Sequence, residues 1–99
     1  MPFYELSPEA LDDLQIIRDF IALDNGEAAE RIVDQFFETF ERLAVWPKTG
    51  HVRTDLTVKS VRFWPVGSYL VVYRDHSDGI QIVAVLHGSR DVPSVLNNR

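Results

Sequence analysis

One imidazole and four cations are the side chains here whose types could attack a nucleic-acid backbone. Cleavage at a ribose 2′-hydroxyl needs a group to take its proton, a group to protonate the leaving 5′ oxygen, and cations to hold the charge that develops on phosphorus. His87 or His51 could transfer the protons, and Arg53, Lys59, Arg62 and Arg90 could hold the charge. Arg62 alternates with Val61 and Phe63, which places it on the opposite face of a strand from them. His87, at the end of the last candidate strand, is expected to reach the same region. Each residue also has an ordinary structural role open to it. His87 could bond backbone or Asp91, Arg90 could pair with Asp91 or Asp55, and Arg62 could make contacts from an open sheet face. His51 and His76 are expected to be solvated in loops.

Charge weighs against a nuclease. The 99 residues carry 15 acidic and 10 basic side chains, a net charge of −5, with an isoelectric point near 5.0. Residues 1–45 hold eleven carboxylates and three arginines, net −8, whereas residues 46–99 hold seven cations and four carboxylates, net +3. An acidic chain is a poor general binder of phosphate backbones, although a local basic surface on the second half remains open to it. Sequence-specific DNA binding by this chain alone is not expected. There is no cysteine, which excludes disulfides, thiolate metal sites and a cysteine nucleophile. No glycine-rich phosphate loop, His-Glu-x-x-His or Cys/His cluster occurs, so neither metal nor cofactor is expected. No apolar run approaches the ~18 residues of a membrane span, and residues 1–6 lack the charged and apolar regions of a secretory leader. A cytoplasmic location is the expectation.

The elements that would position these residues change character near Trp46-Pro47. Phe3 to Leu6 is a candidate first strand. Ser7-Pro8-Glu9 is a helix start, with a capping hydroxyl, a proline suited to the first turn and an acidic residue at the positive end of the dipole. Ala10, Leu14, Ile17 and Ile21 then mark one helix face, with Leu11 and Phe20 beside them, until Asp24-Asn25-Gly26 breaks it. From about Glu27, Ala29, Ile32, Val33, Phe36, Phe37, Phe40, Leu43 and Ala44 recur at helical spacing, and Pro47 ends the run. So short a link makes the two helices antiparallel. Three strands follow: Val61 to Trp64, Tyr69 to Tyr73, and Ile80 to Leu86, the last apolar enough to be central and covered on both faces. Asp91 to Asn97 is a candidate terminal helix. Trp46, Trp64, Phe36, Phe37 and Phe40 stand at packing positions, with Trp64 also a candidate binding contact. The expected architecture is a single α+β domain over residues 1–99, ordered β-α-α-β-β-β, with a helical hairpin packed on an antiparallel sheet.

That order resembles the ParE/RelE toxin superfamily. So do "SPEALDDLQIIRDFI", "EAAERIVDQF", "LAVWPKTGHVRTDL", "VRFWPVGSYLVVYR" and "IVAVLHGSRD", in sequence along nearly the whole chain. The ending His87-x-x-Arg90-Asp91 is more similar to the ParE branch than to the RelE, YoeB or HigB branches. The resemblance implies a plasmid-stabilisation type of toxin that poisons DNA gyrase by binding and cleaves nothing. It also implies a cognate, ParD-like antitoxin whose C-terminal part wraps the toxin along the hairpin groove and sheet edge. Arg53, Lys59, Arg62, Trp64 and Arg90 are then the candidate contacts to target or antitoxin. The RelE branch, which cuts mRNA on the ribosome, supplies the alternative, with Arg62, His87 and Arg90 as its catalytic candidates. Relatives of that branch are strongly basic and use a C-terminal tyrosine, whereas the last tyrosine here is Tyr73. A third alternative is a non-toxic module that only binds its antitoxin. Toxins of this kind are usually basic, so this acidic hairpin implies an antitoxin richer in Lys and Arg, or one that binds through apolar contacts.

Overall fold

Ser7 ends the first strand and opens the first helix. Its hydroxyl accepts from the Ala10 amide at 3.1 Å, and Pro8 takes the first helical position. The computed structural model describes residues 3–99 and places β1 at Tyr4–Leu6 and α1 at Pro8–Ala22. Asn25 caps α2, Gly26–Val45, by accepting from the Ala28 amide at 3.1 Å. The residues expected to break the chain thus also start the next helix. A single 3₁₀ turn, Pro47–Thr49, follows. Then come β2 (Arg62–Val66), β3 (Tyr69–His76), β4 (Gly79–His87) and α3 (Val92–Asn97), the last capped by Asp91.

The four strands are ordered β1-β4-β3-β2. β2, β3 and β4 form the expected antiparallel meander, and β1 joins it parallel to β4, with Tyr4 opposite Ile80 and Leu6 opposite Ile82. Gly67 supplies the positive φ (57°) of the β2–β3 turn. β2 runs through Pro65, where the sequence pattern ends it. Phe63 turns its amide and carbonyl outward to His51 (both bonds 2.8 Å). Pro65, two residues on, therefore puts its missing donor on the outer edge of the sheet, where a proline is tolerated.

Both faces of the sheet are covered. The hairpin buries Leu14, Ile17, Phe36, Phe40 and Leu43 against Val71, Tyr73, Ile80, Ile82 and Val85. On the other face, Val92 and Leu96 of α3 pack with Val61, Phe63, Val72, Ala84 and Leu86. The alternation of β4 breaks once. Val72 pairs with Ala84 and Tyr73 with Ile82, so Val83 has no opposite number and is a bulge. β1 stops at Leu6, and the groups of β4 beyond it bond side chains instead. The Val83 carbonyl accepts from Ser7 Oγ (3.4 Å) and Arg99 Nη1 (3.3 Å), and the Val85 amide donates to Asp13 Oδ2 (3.0 Å). Arg99 grips Asp13 with both terminal nitrogens, at 2.6 and 2.9 Å. The Asp13 side chain is only 9% exposed, and the pairing holds the Arg99 guanidinium above its ordinary value, chiefly through the Asp13 hydrogen bond.

Removing this carboxylate strands a buried amide and a half-enclosed cation together. Asp13→Ala should lower unfolding free energy by about 3 kcal/mol in urea titrations at neutral pH, whereas Asp12→Ala, on the exposed side of the same turn, should change it by under about 0.5 kcal/mol.

Candidate functional site

The side chains singled out from the sequence fall into three places, of which the last two adjoin, since Arg62 and Lys59 line one cavity. His87 and Arg90 lie where β4 ends. Arg62 and Trp64 lie on the outer strand β2. Arg53 and Lys59 lie on the segment between the 3₁₀ turn and β2.

His87 and Arg62 share a sheet face but not a region. His87 is opposite Tyr69 at one end of β3, and Arg62 is opposite Tyr73, four residues along. At strand spacing that is about 14 Å along the sheet, with β3 between them. Nor is the Arg62 face open. Its side chain lies on the hairpin side, half-buried, where Nη1 donates to the Gly50 carbonyl at 2.9 Å. Tyr73 completes the same anchor. Its hydroxyl accepts from the Gly50 amide (2.8 Å) and donates to the Pro47 carbonyl (2.6 Å). A Cβ at position 50 would overlap the Tyr73 ring, so glycine is required for so close an approach. Trp64 stacks on His51, ring centres 5.8 Å apart and nearly parallel, so His51 is not simply solvated. Nor is His76, which ends β3 and meets Glu5 at 3.1 Å.

Arg53 is spent on Asp55 in a two-pronged pair, 2.9 and 2.7 Å, which raises the arginine and lowers the carboxylate from their ordinary values. Arg90 pairs with neither Asp55 nor Asp91. The first carboxylate holds Arg53 and the second caps α3, and Arg90 has no ion-pair partner among the described residues. His87 bonds Ser89, not Asp91. Its Nδ1 accepts from the Ser89 amide at 3.1 Å and lies 2.7 Å from Ser89 Oγ. Accepting there assigns the neutral ring its proton at Nε2.

The candidate that joins singled-out residues to an exposed apolar surface is the cleft that His87 and Arg90 share with α1. It encloses about 370 Å³, with Asp13, Ile16, Ile17 and Phe20 along one wall and Tyr69, Val85, His87 and Arg90 opposite. The α1 residues recur at i, i+3, i+4 and i+7, which makes them one stripe of the helix. Tyr69 meets the His87 ring edge to face at 5.3 Å. Beside the cleft, Ile16, Phe20 and Leu23 are each two-thirds or more exposed, whereas most apolar side chains of that size are withdrawn from water. Chemically the cleft offers one imidazole, one phenol, one unpaired guanidinium and a broad apolar wall. Asp13, its carboxylate, is already saturated by Arg99 and Val85. Such a surface suits the apolar face of a partner helix better than a phosphodiester.

Ile16, Leu23 and Tyr69 were not singled out from the sequence, and Phe20 only as a neighbour of the core face. Their signal was available: α1 and its C-terminal cap carry Leu11, Ile16, Phe20 and Leu23 in addition to a complete buried face, more apolar surface than one core contact needs. Trp46, assigned to the core by its position, is 66% exposed. Phe37 is at the margin of the core, edge-on to Phe40. Among the described residues no group of three or more His, Asp or Glu side chains could hold a metal ion, and no helix is long and apolar enough to cross a membrane.

Residues 4–92 match the family model described as the ParE toxin of type II toxin-antitoxin system, parDE. No curated protein matches the chain. Among solved structures, the chain is similar to one from the chromosomal ParDE TA system from P. aeruginosa. The two are 23% identical over 88% of this chain and 96% of that one, with a TM-score of 0.74. At that identity the likeness is one of fold.

Two outcomes follow from this geometry. Tyr73→Phe should cost about 1–2 kcal/mol in chemical denaturation, because two buried backbone groups lose their partner. Burial raises the Tyr73 phenol above its ordinary 10.0. The neutral phenol is therefore the form the fold favours; its contribution is intact below about pH 10 and is lost as pH rises through the raised value. The wild type should accordingly lose stability more steeply above pH ~10 than Tyr73→Phe does, as read by circular dichroism.

Proposed function

The chain belongs to the ParE toxin family of type II toxin–antitoxin systems, and from that premise we propose that it acts by binding a type II topoisomerase, with DNA gyrase as the target. In this proposal a ParD-like antitoxin holds it inactive by laying an amphipathic segment into the cleft beside α1. The observation that carries the reading is the exposed stripe Ile16, Phe20 and Leu23 running into a cleft with one unpaired guanidinium. It is a surface for holding a partner. The separation of His87 from Arg62 supports binding over cleavage, because no second cation joins the imidazole. Asp12 and Asp19 border the stripe on α1, so the antitoxin segment that fits combines apolar residues with flanking Lys or Arg.

A second reading rests on one grouping. His87 and Arg90, with the neighbouring Tyr69, bring proton-transfer groups and a cation without a carboxylate partner along one cleft. An mRNA interferase would use them there, and His87→Ala would then abolish cutting without unfolding the chain.

Purified protein in a gyrase supercoiling assay, run beside ribosome-programmed mRNA cleavage, separates the two. Inhibited supercoiling with intact mRNA is the expected result; intact supercoiling with cut mRNA would transfer the function to the His87 grouping. If neither activity is affected, and overexpression without antitoxin is harmless, the chain is a binding module. The antitoxin reading has its own test. Phe20→Asp should weaken antitoxin binding by about a hundredfold in calorimetric titration, as a central apolar anchor does, with the thermal midpoint of the free toxin unchanged within a few degrees.

A further inference from the structure

Two adjoining cavities, of about 540 and 350 Å³, share one wall where the segment leading into β2 passes β3; the first runs on to the start of α1 and the end of α3, the second along the edge of β2. Lys59, Ser60, Val61 and Arg74 line both. The shared wall is cationic, and its two charges are held in place by neutral partners. Lys59 Nζ donates to the Leu96 carbonyl at 2.6 Å, at the end of α3. Arg74 Nε donates to Gln81 Oε1 at 2.8 Å. Neither cation has a carboxylate partner among the described residues. Lys59 keeps two ammonium protons and Arg74 both terminal nitrogens for a further acceptor.

We infer that this wall is a docking site for a protein segment presenting a single carboxylate side chain among apolar residues, distinct from the cleft beside α1. The arrangement selects one carboxylate over a polyanion. Glu9 belongs to the first cavity alone and Asp75 to the second alone. Each side also holds one cation beyond the wall, Arg99 in the first, bound by Asp13 and near Glu9, and Arg62 in the second, offset by Asp75, so the unbalanced positive charge is confined to the shared wall. Val61, Val83 and Leu96 in the first cavity and Val52 and Val58 in the second offer apolar contact to the flanking residues. Nucleic acid is disfavoured for the same charge reason and for another. Tyr73 is the sole aromatic residue lining either cavity, and it is 1% exposed with its hydroxyl committed to Gly50 and Pro47. No ring is available to stack a base.

The test uses the full chain, isotopically labelled for NMR, titrated with the capped peptide Ala-Val-Glu-Val-Ala. Shifts should centre on the amides of Lys59, Ser60 and Val61 and on the Arg74 side-chain Nε. Replacing the peptide's glutamate by glutamine should weaken binding about tenfold, as should Arg74→Gln in the protein, the usual size for one charge-assisted hydrogen-bonding partner. Lys59→Gln, which retains a donor toward Leu96, serves as the second variant, with its thermal midpoint measured alongside. Phe20→Asp should leave peptide binding untouched. The inference is overturned by any of three results: no shifts at millimolar peptide, equal affinity for the glutamate and glutamine peptides, or shifts that follow Phe20 and not Arg74. A single-stranded oligonucleotide that displaces the peptide from the same amides would also overturn it, in favour of a phosphate site.

Discussion

A long central strand with a short neighbour must find partners for the edge its neighbour does not cover. β4 spans nine residues and β1 three, and the stretch of β4 past Ile82 would otherwise bury an unpaired carbonyl and an unpaired amide. Ser7, Asp13 and Arg99 supply the partners. Two of the three are on the chain leading into and along α1, so this one need fixes where the helix crosses the sheet. The hairpin, the bulge at Val83 and the cleft between α1 and the end of β4 follow from that crossing. Asp13 is at once the anchor of α1 and a wall of the cleft, so the surface proposed for a partner is built on a buried, charge-assisted contact.

Charge is arranged to match. The hairpin holds most of the carboxylates, and its outer face interrupts them with Ile16, Phe20 and Leu23. The sheet and its loops hold most of the cations, yet these are not pooled into a basic patch. Arg53 is neutralised by Asp55, Arg99 by Asp13, and Arg62 braces the Gly50 carbonyl. Among the described residues of the sheet and its loops, Lys48, Lys59, Arg74 and Arg90 remain without a carboxylate, in three separate places. A protein so arranged meets partners at defined points and lacks the broad positive field that steers a chain onto nucleic acid.

The elements were legible in the sequence because their signals are local. Ser7-Pro8-Glu9, the apolar period of α2, and the near-continuous apolar run of β4 each name a structure within a few residues. The parallel pairing of β1 was not legible, since Tyr4 and Ile80 are joined by no local pattern. The role of Asp13 was hidden for the same reason: it is one of eleven carboxylates in the first 45 residues, and only the end of β4 distinguishes it from Asp12. Arg62 illustrates a subtler limit. Alternation correctly gave its face, but the segment from Trp46 to Gly50 folds over that face and turns a free cation into a brace. Arg90 went the other way, because the carboxylates expected to hold it were occupied elsewhere.

In time, as opposed to space, β1 is the element that waits. It is the first strand made, and its sole strand partner lies 76 positions later, at the register Tyr4 to Ile80. Until β4 exists, β1 has nothing to pair with, and the apolar faces of α1 and α2 have no sheet to cover them. The helical hairpin can form early from nearby residues, but the molecule closes only when the far end of the chain returns to its beginning. That late closure is the slow, long-range step such a topology imposes. A ParE-type toxin built this way acquires the cleft beside α1 only once β4 and Arg90 have been made, and the cationic wall only once Leu96 has, so no shorter intermediate presents either surface.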